Sequence, residues 1–264
     1  MQNRLLTYLQ DFLFLLYPTP CSNCEQYHPY LKNTLCPDCY FDLTQKSPYY
    51  SSLCSFCGSP CHPLETKKEY ELCPHYPFKG SGPQSIRSLS IYSGKMEKLI
   101  KQYKFHEQIP LAKAFGKCLL SPPKPPWEWN ELSALVPVPM HQSRYMERGF
   151  DQVLFLAHAL KSWLKKQQGI QIPLEPKFLR LKKPFSHQLG LSQRKRLKNV
   201  EKLARLIAVK KKKENLSTIL LLDDVVTTGA TLYACSKAIH RVYPHMKIHC
   251  LTLARTTFPQ QMNQ

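Results

Sequence analysis

Eight of the eleven cysteines in this chain crowd into the stretch from Cys21 to Cys73. They fall as Cys21 and Cys24, Cys36 and Cys39, Cys54 and Cys57, then Cys61 and Cys73. A Cys-x2-Cys turn puts two thiolates on one side of a tight backbone knuckle, and two such knuckles make a tetrahedral zinc site. The first two pairs, Cys21/Cys24 and Cys36/Cys39, supply a complete ligand set. The third pair, Cys54/Cys57, is an equally good half-site whose other half is irregular. Cys73 is followed by Pro74, His75 and Tyr76, so Cys61 or His75 is left as the fourth ligand. Residues 18–80 hold few long apolar runs, and a segment of that kind folds when a metal closes it. Structural Zn2+ is the expectation, because catalytic zinc keeps an open position and favours His or carboxylate ligands. Three pairs in one segment also argue for metal over redox-active thiols.

That reading needs a reducing compartment, and the N-terminus agrees. The apolar run from Phe12 to Tyr17 falls far short of the ~18–20 residues of a membrane span. It follows Asp11, precedes Pro18 and has no small-residue cleavage site before Cys21, unlike a secretory signal. Leu5, Leu9, Phe12 and Leu16 share one helical face, so residues 1–17 read as an amphipathic helix, over 3–16, docked on the protein. A cytoplasmic location is expected, where cysteines are ligands or plain thiols. Cys118, Cys235 and Cys250 stand alone in apolar surroundings and read as small buried side chains.

From residue 85 to about 260 apolar runs alternate with helical patterns. Strands are expected over 88–93, 134–138, 178–181, 217–222 and 247–253. Helices are expected over 96–103, 111–120, 149–164, 193–205 and 231–242. Such alternation implies an α/β domain, a parallel sheet with helices on both faces. Apolar residues make up 43% of the 264, so a core can form and wholesale disorder is excluded. Lys and Arg number 37 against 18 Asp and Glu, a formal charge of +19 that favours anionic partners.

The most informative stretch is Ile219-Leu220-Leu221-Leu222-Asp223-Asp224-Val225-Val226-Thr227-Thr228-Gly229-Ala230-Thr231. An apolar strand ends in two carboxylates, at the end where open α/β sheets place their ligands. A hydroxyl-rich turn then opens a helix, where side-chain hydroxyls and backbone N–H groups can cradle a phosphate. Gly229 supplies the permissive backbone that close approach needs. Carboxylates above a phosphate suit a sugar phosphate, whose vicinal hydroxyls donate to Asp223 and Asp224.

These thirteen residues resemble the 5-phosphoribosyl-1-diphosphate (PRPP) motif of type I phosphoribosyltransferases. Val136-Pro137-Val138-Pro139, then Arg144, then Arg148-Gly149-Phe150-Asp151-Gln152 narrow the likeness, as do Gln188-x2-Leu191, Arg196-x2-Asn199-Val200 and Leu253-Ala254-Arg255. With the cysteine-rich N-terminus, nearly the whole chain resembles the ComF/GntX (ComFC-type) competence-associated proteins. Asp151 stands where that pattern has Asn, and Tyr76 breaks the last Cys-x2-Cys. The resemblance implies a phosphoribosyltransferase-like domain behind a double zinc ribbon. It implies that Thr227, Thr228, Gly229, Ala230 and Thr231 hold the 5-phosphate, and that Asp223 and Asp224 hold the ribose hydroxyls, Asp224 also steering Mg2+. Arg144 and Arg148 are then candidates for the diphosphate, since guanidinium forks match phosphate oxygens.

Two functions of different class follow. One is a Mg2+-dependent transferase with an acceptor the sequence does not name. The other, implied by the ComF resemblance, is single-stranded DNA handling during uptake, alongside membrane DNA-uptake machinery. For DNA, Arg194, Lys195 and Arg196 are the first candidate contacts. Tyr103, Phe105, Tyr145 and Phe150, interleaved with cations, are candidates for base stacking. The run from Lys210 to Lys213 reads as a solvated loop.

Overall fold

The computed structural model describes residues 20–28, 34–44, 53–60, 82–105, 108–120, 122, 124–183, 193–211 and 216–256. The N-terminal helix expected over 3–16, Cys61, Cys73 and His75 lie outside them. A strand buried on both faces needs an unbroken apolar run, and the run at 219–222 forms the middle of β5 (Thr218–Val226). It pairs in parallel with β6 (Lys247–Arg255) on one side and β2 (Ala134–Pro137) on the other. β1 (Ser85–Ile91) pairs in parallel with β6, giving the strand order β1-β6-β5-β2.

Successive residues of these strands feed two separate cores. Leu220, Leu222, Leu251 and Leu253 pack on one face with helices α2 (Gly94–Phe105), α3 (Leu111–Cys118) and α5 (Gln152–Gln168). Ile219, Leu221, Ile248 and Cys250 pack on the other with α6 (Gln193–Leu206) and α7 (Ala230–His240). The expected α/β class, a parallel sheet with helices on both faces, is the observed one. Cys118, Cys235 and Cys250 are buried as expected, and burial raises all three thiols.

Several boundaries differ from expectation for physical reasons. β5 runs on to Val226 because β6 continues to pair with it as far as Arg255. The helix expected over 149–164 is α5, which starts at Gln152, and an unexpected helix, α4 (Gln142–Arg148), precedes it. Gly149 ends α4 in the left-handed conformation (φ 75°), and Asp151 then caps α5 by accepting from the Leu154 N–H at 2.9 Å. Asp and Asn cap equally well, which accounts for Asp151 in place of Asn. A short ribbon, β3 (Leu179–Leu181) antiparallel to β4 (Ile207–Val209), leans on α6; its second strand has no signal in the sequence.

Both sheet edges are covered. Along β2, the Leu135 N–H donates to Pro173 and Glu175 donates back to Leu135. Along β1, the Cys54–Gly58 turn lies against the strand, with the Ile86 N–H donating to Phe56 at 2.8 Å. Arg87 donates to the Ser55 carbonyl, and buried Arg255 donates to the Cys57 carbonyl. The turn comes so close that a Cβ on Gly58 would meet the Ile86 oxygen at 2.6 Å.

α3 and α5 also approach closely, at Gly116. A Cβ there would lie 2.6 Å from the Ala159 Cβ and 2.8 Å from the Leu160 backbone nitrogen. Gly116→Ala should therefore destabilise by about 1–3 kcal/mol, although Ala is the better helix former. A denaturant midpoint equal to or above wild type would show that these helices can part without cost.

Candidate functional site

The first two cysteine pairs converge. Ligand atoms of Cys21, Cys24, Cys36 and Cys39 all lie within 4.8 Å of one another. Cys21–Cys24 is a knuckle: the Cys21 N–H donates to Gln26, and the Glu25 N–H returns to the Cys21 carbonyl. Cys54–Cys57 repeats the pattern, with Cys54 donating to Ser59 and Gly58 donating to Cys54. Each turn carries a positive φ at its fifth residue, 62° at Glu25 and 65° at Gly58. Cys36–Cys39 is not a second knuckle. Cys36 immediately precedes α1 (Pro37–Thr44), and its sulfur accepts from the Cys39 N–H. One knuckle and one helix start thus supply the four sulfurs.

The electrostatics fit a metal. Burial raises the Cys21 thiol, but N–H groups of Cys24, Cys36 and Asn23 outweigh it and bring it down to about 7. Burial takes Cys36 the other way, up to about 12. A divalent cation would ionise both, and four thiolates in tetrahedral reach are a soft donor set. The cluster could hold a structural metal ion, in a small cysteine-built unit that packs into the α2–α3–α5 core through Cys21, Cys36 and Cys39.

The second feature is a cleft of about 420 Å³ at the C-terminal end of the sheet. It gathers Asp223, Asp224, Thr227 and Thr231 from the β5–α7 connection, with Arg144 and Arg148 of α4. Because β5 continues past them, the two acids alternate across the sheet instead of standing side by side. Asp224 turns to the α2–α5 face, where it is buried. It accepts from Lys104 Nζ at 2.8 Å and Gln152 Nε2 at 2.9 Å. Asp223 receives the Asp224 N–H at 2.8 Å. Burial raises the Asp223 carboxyl and the Asp224 charge raises it further, to about 7, against the pull of Lys104 and Arg144.

Gly229 is left-handed (φ 75°) and caps α7, the backbone freedom expected of it. Thr228 Oγ1 accepts from the Ala230 N–H, and His141 caps α4 beside the cleft. Arg148 lies over the Phe105 ring at 5.2 Å, and its buried Nε has no hydrogen-bond partner among the described residues. Gln152 Oε1 is likewise buried and unpaired there. The unpaired Arg148 donor suits an anion, and the unpaired Gln152 acceptor suits a hydroxyl or a cation brought by the same ligand.

Other expected residues lie on neighbouring elements. Arg194, Lys195 and Arg196 lie on the first turn of α6, about 10 Å or more along its axis from Leu203, which lines the cleft. Tyr103 and Phe150 do not offer faces for stacking: both are buried, Tyr103 against Phe115 and Phe150. Phe105 and Tyr145 are exposed. Lys104 was not foreseen. It follows the last periodic position of α2, where a lysine usually reads as solvated surface.

No family model matches the chain. Among curated proteins it is 27% identical to competence protein F of Haemophilus influenzae over 225 residues, 84% of this chain and 91% of that one. It is 23% identical to competence protein ComFC of Bacillus subtilis, over 83% of this chain and 84% of that one. The DNA utilization protein YhgH of Escherichia coli matches at 26% over 72% of this chain and 78% of its own. These relatives, at 23–27% identity over most of the chain, support a ComF-family protein. No helix among the described residues is long and apolar enough to cross a membrane.

Two predictions follow from this geometry. Purified protein should carry at least one metal ion per chain, and Cys36→Ala should lose it and lower the unfolding temperature; metal-free wild type by elemental analysis would exclude the site. For Asp223, a carboxyl held at about 7 when folded binds a proton that the unfolded chain has released above its ordinary value of 3.8. Its contribution to stability therefore falls as pH rises from about 4 to 7 and is level beyond. Asp223→Asn should gain on wild type in thermal unfolding across that window, and a constant difference between the two would contradict the assignment.

Proposed function

We propose that this ComF protein serves DNA uptake or transformation, as its relatives' names indicate for them, and that its cleft binds PRPP or another sugar phosphate with Mg2+. The single observation that carries the cleft reading is the meeting of Asp223 and Asp224 with Arg144, Arg148 and the Thr227–Thr231 turn at one end of a parallel sheet. In this reading Thr227, Thr228, Gly229, Ala230 and Thr231 hold the 5-phosphate. Asp223 and Asp224 take the ribose hydroxyls and Mg2+, a hard cation suited to carboxylate and phosphate oxygens. Arg144 and Arg148 take the diphosphate, and the unpaired Arg148 Nε is the donor that such an anion would satisfy. Lys104 offsets the Asp224 charge until a ligand-borne cation takes over that role. The metal of the four-cysteine cluster is Zn2+, and its role is structural. Cys54, Cys57 and Cys73, with Cys61 or His75, form a second site. The division into a zinc ribbon over 18–80 and a phosphoribosyltransferase-like domain over 85–260, in a cytoplasmic protein, belongs to the same reading.

Single-stranded DNA is the macromolecular partner that the charge of +19 favours. Arg194, Lys195 and Arg196 would then follow the phosphates. Transfer of 5-phosphoribose to a nitrogen acceptor is the second reading, favoured by the full run of Asp223, Asp224 and the hydroxyl turn. Here the protein would stabilise an oxocarbenium-like transition state by charge, with no protein nucleophile.

Calorimetric titration separates these readings. PRPP with Mg2+ should bind wild type, and Asp223→Asn with Asp224→Asn should weaken binding by roughly tenfold or more. The double variant should also lose stability by about 2 kcal/mol, less than the ~3–5 of a fully buried broken pair, because Lys104 is left without its partner. Unchanged affinity in a folded double variant would remove the cleft assignment. For DNA, log affinity should fall with log salt by roughly 0.7 per phosphate contacted, and replacing Arg194, Lys195 and Arg196 by Ala should flatten that slope by about two. A slope unchanged by the triple replacement would move the DNA track elsewhere.

A further inference from the structure

α4 stands as a ridge with a hollow on each side. Arg144 and Arg148 face the cleft that holds the two aspartates. Gln142 and Tyr145, a third of a turn away, face a second groove of about 380 Å³ between α4, the start of α5 and β3. The two hollows share Val138, Pro139, Met140 and Leu181 in their walls, so whatever fills one abuts whatever fills the other.

The composition of the second groove is unlike that of the first. Pro137, Pro139 and Leu179 give it a flat apolar floor, and Tyr145, 47% exposed, stands at its side. Arg180 and Gln142, both exposed, put N–H donors at its rim, and Asp151 adds a carboxylate. An aromatic ring and prolines beside a guanidinium suit a flat π system with polar edges. A fatty chain would not use those edge donors, and a bare phosphate would not use the apolar floor.

We infer that this groove is a nucleobase subsite, in which Tyr145 stacks on a base while Arg180 and Gln142 meet its edge. It rests on the reading of the neighbouring cleft as a sugar-phosphate site: a nucleotide there would present its own or its neighbour's base to Tyr145 across the α4 ridge. The base belongs either to a single strand laid over α4 or to a free nucleobase compound. The stacking surface thus lies on α4, beside the cleft, and Tyr103 and Phe150 have no part in it.

The test compares the full-length protein binding a fluorescent oligothymidylate with its binding of an abasic strand of equal length, at low salt. Wild type should prefer the base-bearing strand by about tenfold. Tyr145→Ala should abolish that preference, while Tyr145→Phe keeps it. Phe41→Ala, which removes a 59% exposed ring on α1, should leave it unchanged. Equal binding of both strands by wild type would overturn the base subsite and leave DNA binding through phosphates standing. If neither strand binds, thymidine titration followed by NMR decides. Shifts in wild type that vanish in Tyr145→Ala keep the subsite for a small nucleobase compound and reject the strand. No shifts would overturn both readings. Tyr145 is exposed and Ala favours helix, so the variant keeps the fold against which its loss is measured.

Discussion

The described residues are arranged around a strand whose centre is buried on both faces. The leucines and isoleucine at 219–222 are fully buried, alternately against the α2–α3–α5 layer and the α6–α7 layer, and each contributes about 1.5–3 kcal/mol by leaving water. Such a strand cannot shift register by one residue without exchanging its two sets of contacts. Its last residues are thereby fixed in space, and they include Asp223 and Asp224. At Asp224 the cost of burying a carboxylate is met by ion pairing with Lys104 and a hydrogen bond from Gln152 Nε2, whereas at Asp223 the Asp224 N–H relieves it only in part. The outcome is a pair of acids in two different electrostatic situations one residue apart.

That difference shows how far the sequence could be read. The run from Ile219 to Thr231 announces a buried strand, two acids and a hydroxyl turn before a helix, because apolar continuity and the Gly229 turn are local properties. The resemblance to ComF proteins likewise rests on short ordered motifs and is matched by relatives along most of the chain. Lys104, however, comes from a helix 120 residues upstream of its partner, and nothing in its own neighbourhood marks it. The same holds for Arg87 and Arg255, whose guanidiniums support the Cys54–Gly58 turn from β1 and β6. Such partnerships are set by tertiary packing, which periodicity does not encode.

The cysteines divide along the same line. Their pairing in sequence was enough to anticipate four sulfurs converging, since a knuckle is a local structure. That Cys36 and Cys39 open a helix was less visible, because an eight-residue helix with a mixed pattern carries little periodic signal. The aromatics divide too. Tyr103 and Phe150 belong to the core, whereas Phe105 and Tyr145, next to them in sequence or on the following helix, face outward. A count of aromatic residues near cations does not separate ring faces that pack from those left available.

The cover on the edge of β1 has a consequence for how this chain behaves before it is mature. A parallel strand with an open side is a template for any other extended chain, including another copy of itself. Here the side is closed by a turn between two cysteines, held by Arg87 and Arg255 and too tight at Gly58 for a side chain. A newly made chain whose cysteine-rich segment has not yet settled would show that edge to its neighbours. The Cys54–Gly58 turn thus does for β1 what a further strand would do, closing the edge against pairing with another chain.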